Sequence, residues 1–118
     1  MERKETGTTE VLLLPTCKGV ELIAVKTIIR IEAISNYSKL FFTNGKTLVV
    51  AKVLRWFEKT LFTAEFIRVH RTHLVNSQFV RQYIKSNTGK LQLITGDCIN
   101  VSRRKRSSVV QNLYNRAA

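Results

Sequence analysis

The chain has 118 residues, 44% of them apolar, and a formal net charge of +12. That is enough for one compact domain with one core. No apolar run is long enough to span a bilayer, and "MERKETGTTE" lacks the pattern of a signal peptide, so the expectation is a cytoplasmic chain without membrane segments. The charge is unevenly spread: residues 66–118 carry ten Lys/Arg against Asp97 alone, whereas residues 1–65 carry ten against seven acids. Such an imbalance costs self-repulsion unless an anionic partner relieves it.

In chain order, residues 1–9 read as a flexible polar tail and residues 10–118 as one domain. "VLLLP" and "VELIAV" read as strands, and "IIRIEAI" as a third after a single turn at residues 26–28. "SKLFFT" and "KTLVV" flank Asn44-Gly45, a hairpin signal whose type I′ turn needs positive φ at both central residues. On the first of these strands Leu40 and Phe42 point one way, and Lys39, Phe41 and Thr43 the other. Over residues 52–62 the period changes to that of a short helix with Val53, Leu54, Phe57 and Leu61 on its apolar face and Trp56 at the core rim. "FVRQYIK", "KLQLI" and "CINV" then form a three-stranded meander. A final helix is expected from Ser102 as N-cap, with Val109, Val110 and Leu113 on its buried side. Cys17 and Cys98 form no metal or redox pattern and read as free, buried thiols.

Catalysis finds little support. The eight acids are scattered, and acid–base chemistry usually wants paired carboxylates or a histidine with an orienting acid. Glu32 reads as a structural hydrogen-bond partner. His70 and His73 have H-x-x-H spacing, but no third ligand stands nearby in sequence. There is no glycine-rich phosphate loop. The chain is therefore read as a non-enzyme, with no metal, cofactor or small-molecule substrate implied.

A polyanion partner fits better. Arg103, Arg104, Lys105 and Arg106 crowd the expected first turn of the last helix, where the macrodipole already disfavours positive charge. A phosphate there would accept backbone N–H groups and arginine forks together. Arg68 and Arg71 beside His70, and Lys39 beside Tyr37, make two further cationic places. Most phenylalanines sit in apolar patterns and Tyr37 alone looks free to stack, which favours a duplex over a single strand. No helix-turn-helix pattern is present.

Three segments, "IIRIEAISNYSKLFFTNGK", "FIRVHRTHLVN" and "INVSRRKRSSV", together resemble, in order and spacing, the LytTR-type DNA-binding domain of bacterial transcriptional regulators, over about residues 11–115. The resemblance implies a mainly β fold, an elongated arrangement of small antiparallel sheets with short flanking helices. It implies a protein that reads double-stranded DNA in successive major grooves with loops and element ends. Carried over by position, Ser38, Lys39, Arg71 and Arg103 would contact bases, and Tyr37, Thr72, Arg104 and Arg106 the backbone. His70 and Asn76 would support the loop between them.

Two copies are expected on repeated half-sites, because one small module gives limited specificity. Family members usually carry a receiver domain or membrane segments, so this chain reads as an output domain, excised or free-standing. The competing readings are an RNA-binding β module and an adaptor for an acidic protein partner.

Overall fold

The computed structural model describes residues 10–62 and 64–117; the tail expected over residues 1–9 lies outside them. Ten strands form three antiparallel sheets, with two short helices. β1 (Val11–Thr16) and β2 (Gly19–Ala24) make a separate two-stranded ribbon. β3 (Ile28–Ile34), β4 (Tyr37–Phe42), β5 (Thr47–Val50), β6 (Phe66–His70) and β7 (His73–Asn76) form the central sheet, in the order β5-β4-β3-β7-β6. The expected meander is present as β8 (Val80–Ile84), β9 (Lys90–Leu93) and β10 (Cys98–Asn100). α1 (Leu54–Thr60) follows β5, and α2 (Arg106–Ala117) ends the chain.

The single core expected from chain length is divided into two clusters by the central sheet. Leu74 and Val75 are consecutive on β7 and therefore point to opposite faces. Leu74 joins Ile31, Leu40 and Phe57 beneath α1 and the β1–β2 ribbon, whereas Val75 joins Ile67, Leu91, Ile99 and Val109 beneath the meander and α2. The same alternation buries Ser38 with Leu40 on β4 and leaves Lys39 and Phe41 on the other face.

Several local expectations change. Asn44-Gly45 does form a hairpin, but not through a type I′ turn: Gly45 has φ +86, while Asn44 is not among the positive-φ residues. Gly45 N–H donates to Phe42 O (3.0 Å) and Phe42 N–H to Lys46 O (3.0 Å). The loop thus spans three residues, and only its last one needs the left-handed region. α1 is shorter than the expected 52–62 segment: Val53 stands before it, exposed, and Phe62 beyond it, also exposed. Trp56 is half-buried against the first cluster, as expected. Both cysteines are free, but exposed rather than buried, because each lies in or beside a hairpin turn. Residues 66–76, left without an assigned element by their mixed pattern, form the β6–β7 hairpin.

Candidate nucleic-acid interface

Antiparallel pairing brings the family-like segments to one edge of the central sheet. β3 runs against both β4 and β7, so the β3–β4 turn and the β6–β7 turn project from the same end. Ala33 N–H donates to Thr72 O (2.9 Å), which joins the two turns directly. Ser102 N–H donates to Val69 O (2.8 Å), which fastens the junction between β10 and α2 beside them. Three loops that are far apart in sequence therefore stand in a row. At the usual strand spacing, β4 and β6 are about 14 Å apart.

The β6–β7 loop is held by its own basic residue. Arg68 donates from Nε to His70 O (2.8 Å) and from NH2 to Arg71 O (2.7 Å), and its NH1 pairs with Glu58 Oε1 on α1 (2.6 Å). Arg68 is thus a clamp across the loop, and not the free cation its sequence position suggested. His70 lies within the loop as expected of a support: Thr72 N–H donates to His70 Nδ1 (3.2 Å), and Thr72 Oγ1 is 2.9 Å from the same nitrogen. Buried Asn76 holds the far end of the hairpin, donating to Ile28 O (3.0 Å) and accepting from Gln78 N–H (3.0 Å).

His73 faces His70 across the hairpin, with ring centroids 5.6 Å apart. Burial lowers its pKa below the ordinary 6.5; Glu32 opposes that shift, and Arg30 and His70 add to it. No group of three metal-ligating side chains exists among the described residues, so the H-x-x-H spacing is that of a cross-strand pair. Glu32 accepts from Arg30 NH1 (3.1 Å), the structural partnership expected of it.

Arg71 on this loop and Arg103, Arg104 and Lys105 on the 3-10 turn before α2 line one groove of about 440 Å³. Four acids of the described residues pair with other arginines: Glu32 and Asp97 with Arg30, Glu65 with Arg116, and Glu58, itself on the groove's wall, with Arg68. Carboxylates thus neutralise the arginines that hold the fold. Among the described residues none pairs with Arg71, Arg103, Arg104 or Lys105. The charge run does not start an α-helix directly. Residues 103–105 form a 3-10 turn, Ser102 makes no side-chain capping bond, and the α-helix begins at Arg106.

Two of the expected contact residues are engaged by the fold itself. Ser38 is fully buried and its hydroxyl donates to Lys52 O (2.6 Å). It ties β4 to the segment before α1. Arg106, half-buried, lies across the β8–β9 turn, donating from NH2 to Asn87 O (2.7 Å) with Nε buried, and braces that turn.

The remaining expected residues fall in two groups. Arg71, Arg103 and Arg104 are exposed and share the groove, with Thr72 half-buried beside it. Tyr37 and Lys39 stand apart on β4. Tyr37 is half-exposed, and Lys39 Nζ lies 5.2 Å over the Phe41 ring. Tyr37 instead shares a second groove with Lys18 of the β1–β2 turn. Lys18 was missed in the sequence because a lone lysine in a tight turn carries no pattern.

A model of the LytTr DNA-binding domain family matches residues 18–114. The chain belongs to the LytTR family. It is a DNA-binding domain of that kind. Among solved structures this LytTR domain matches the LytTr DNA-binding domain of a Bacillus cereus protein described as a methyl-accepting/DNA response regulator. The TM-score is 0.73 and the identity 24%, over 91% of this chain and 98% of that one. The match confirms the mainly β LytTR fold of small antiparallel sheets with short helices. None of the curated protein sequences matches this LytTR domain. No helix among its described residues is long and apolar enough to cross a membrane.

Proposed function

We propose that this LytTR domain, spanning residues 10–118, binds double-stranded DNA sequence-specifically as the output part of a cytoplasmic bacterial transcriptional regulator. The observation that carries the reading is the convergence of Arg71, Arg103 and Arg104 on one groove in which none of them forms an ion pair among the described residues, while Glu58, which also lines it, is paired with Arg68. Arg71 and Arg103 reach base edges in the major groove, where the guanidinium fork matches guanine O6 and N7. Arg104 holds phosphate. Thr72 turns its hydroxyl from His70 to a phosphate oxygen. Tyr37 takes the backbone and Lys39 a base edge at the other end of the row. A recognition helix is unnecessary, because two turns at one end of the central sheet and the β10–α2 junction fastened beside them present the contacts. Two copies occupy half-sites repeated at about one helical turn.

Selection from randomised duplex DNA at physiological salt tests this reading. Recovery of a short repeated motif is the expected result; recovery of unenriched sequence refutes specific reading and favours an acidic protein partner. Preference for single-stranded or A-form RNA would instead favour an RNA-binding module. If about six phosphates are neutralised, log K falls against log salt with a slope of about −5.

A further inference from the structure

The groove that Tyr37 shares with Lys18, about 590 Å³, lies between the β1–β2 turn and the β4–β5 part of the central sheet. Strand pairing fixes its place. Ser38 stands opposite Val50, so Tyr37 and Ala51, which both line the groove, mark the end of the sheet from which the β3–β4 turn projects. Thr16, Cys17 and Lys18 line it from the other side, which brings the β1–β2 turn to that same end. The row of contacting elements thus continues past the β3–β4 turn to Lys18. Four strand spacings separate β6 from β5, about 19 Å, or roughly five to six base-pair rises of about 3.4 Å. Lys18 is fixed at its backbone and free at its charge. Its N–H donates to Thr16 Oγ1 (3.2 Å), and that hydroxyl donates to Gly19 O (3.3 Å) across the turn. The side chain is exposed and forms no ion pair among the described residues. Glu21, also on the wall, stands opposite Leu14, two residues behind Gly19 and so about 7 Å back along the strand. The groove is therefore cationic at the turn and anionic behind it.

We propose that Lys18 and Tyr37 clamp the sugar-phosphate backbone of one DNA strand beyond the bases read by the other loops, which makes the β1–β2 turn a further DNA-contacting element. The clamp rests on the duplex reading above. Charge and position select its occupant. Lysine is a point charge without a fork, suited to phosphate and blind to base identity. Tyr37, on the opposite wall, carries a hydroxyl that donates to a phosphate oxygen. Between them Val49 and Ala51 give the sugars an apolar floor. Lys52, next in the chain after Ala51, lies 5.0 Å over the Trp56 ring, so Lys18 is the cation that this groove offers. An acidic peptide would match the charge of Lys18 but not its place at the end of the row. A duplex lying along that row passes over the groove. The contact lengthens the footprint on one side only, and it adds affinity without adding sequence preference.

Lys18→Gln removes the charge at an exposed position outside the core. Wild type and variant are titrated by fluorescence anisotropy, at about 50 and 200 mM salt, on duplexes carrying one selected half-site. One duplex has about ten flanking base pairs on each side, the span of one helical turn. Two others are cut back to the motif on one side or the other. On the long duplex the variant's salt slope should be smaller by about 0.9, so the wild type loses about 3.5 times more affinity than the variant over that rise in salt. Truncation on one side should abolish the difference, and truncation on the other should preserve it. Tyr37→Phe, which keeps the ring, should weaken binding to the long duplex and not to the one whose truncation silences Lys18. Equal slopes for wild type and Lys18→Gln, with specific binding intact, overturn the clamp and leave the duplex reading standing; an acidic protein partner then becomes the candidate for this groove. A difference that survives both truncations, or a changed base preference inside the motif, also overturns it. Failure of the wild type to bind any duplex refutes the duplex reading itself, and the clamp with it.

Discussion

Replacing Arg68 by methionine should separate positioning from contact. The side chain is largely buried, at 20% exposure, and makes two charge-assisted bonds to the carbonyls of His70 and Arg71 and a pair with Glu58. Methionine keeps the apolar stem and removes all three. The β6–β7 strands remain paired, so global stability should fall by only about 1–2 kcal/mol, the net worth of two such bonds. The larger effect appears on binding. Without the clamp, Arg71 and Thr72 regain backbone freedom worth about 1–2 kcal/mol each, which must be given up again when DNA is bound. Together that is about 2–4 kcal/mol, so specific affinity should fall roughly 30- to 700-fold, with each 1.4 kcal/mol counting tenfold.

Fluorescence anisotropy against a selected duplex and a shuffled one, across a salt series, measures this. Because Arg68 touches the loop and not the DNA, the salt slope should be unchanged and the loss concentrated on the selected duplex. A slope reduced by about 0.9, or an equal loss on both duplexes, would show that Arg68 is a phosphate contact and refute the clamp. Glu58→Gln leaves the carbonyl bonds in place and should cost under about 1 kcal/mol, as partly exposed pairs do.

Arg103→Ala should cost about 1–3 kcal/mol and relax preference at one base position, whereas Arg104→Ala should weaken all sequences alike and reduce the salt slope by about 0.9; paired selections and titrations distinguish them. Stability should fall as pH drops below about 6.5, because the unfolded chain protonates His73 at its ordinary value while burial holds the folded pKa lower. More protons on the unfolded state means that this contribution is complete above that pH. Denaturation at pH 7.5 and 5.5 should show a smaller difference in His73→Gln than in the wild type. Ser35 holds φ 56 in the β3–β4 turn, the one non-glycine with positive φ among the described residues. Ser35→Val should destabilise by about 1–2 kcal/mol and Ser35→Gly should not, as thermal melts would show.

Much of this fold is legible in the sequence because its strands are short, alternate cleanly and end at glycine-bearing turns. The meander and the β4–β5 hairpin needed nothing more. The β6–β7 hairpin was not legible, because Arg68 and the two histidines break the alternation to serve the loop. The Asn-Gly pair gave the hairpin and the wrong turn, since loop length is settled by strand register. Convergence of the three basic segments was implied by resemblance, but the direction of each side chain was not. For Ser38 the answer lay in the pattern: two positions before Leu40, it must share that residue's buried face. Arg106 had no such signal. Its partner, Asn87, is nineteen residues away, and a helix start does not say which neighbouring turn will receive the side chain.

The row of loops along the central sheet has a consequence for how such a domain can change its target. Lys39, Arg71 and Arg103 come from three separate segments whose geometry is fixed by backbone pairing beneath them. Carboxylates within the fold are already matched to other arginines. Exchanging one of these proposed contact residues therefore leaves the scaffold's own charge pairs intact. Lys39, about 14 Å from the β6 end by strand spacing, should change preference independently of the other two. Arg71 and Arg103 share a groove, so their substitutions should couple. Retargeting then becomes one free choice and one paired choice.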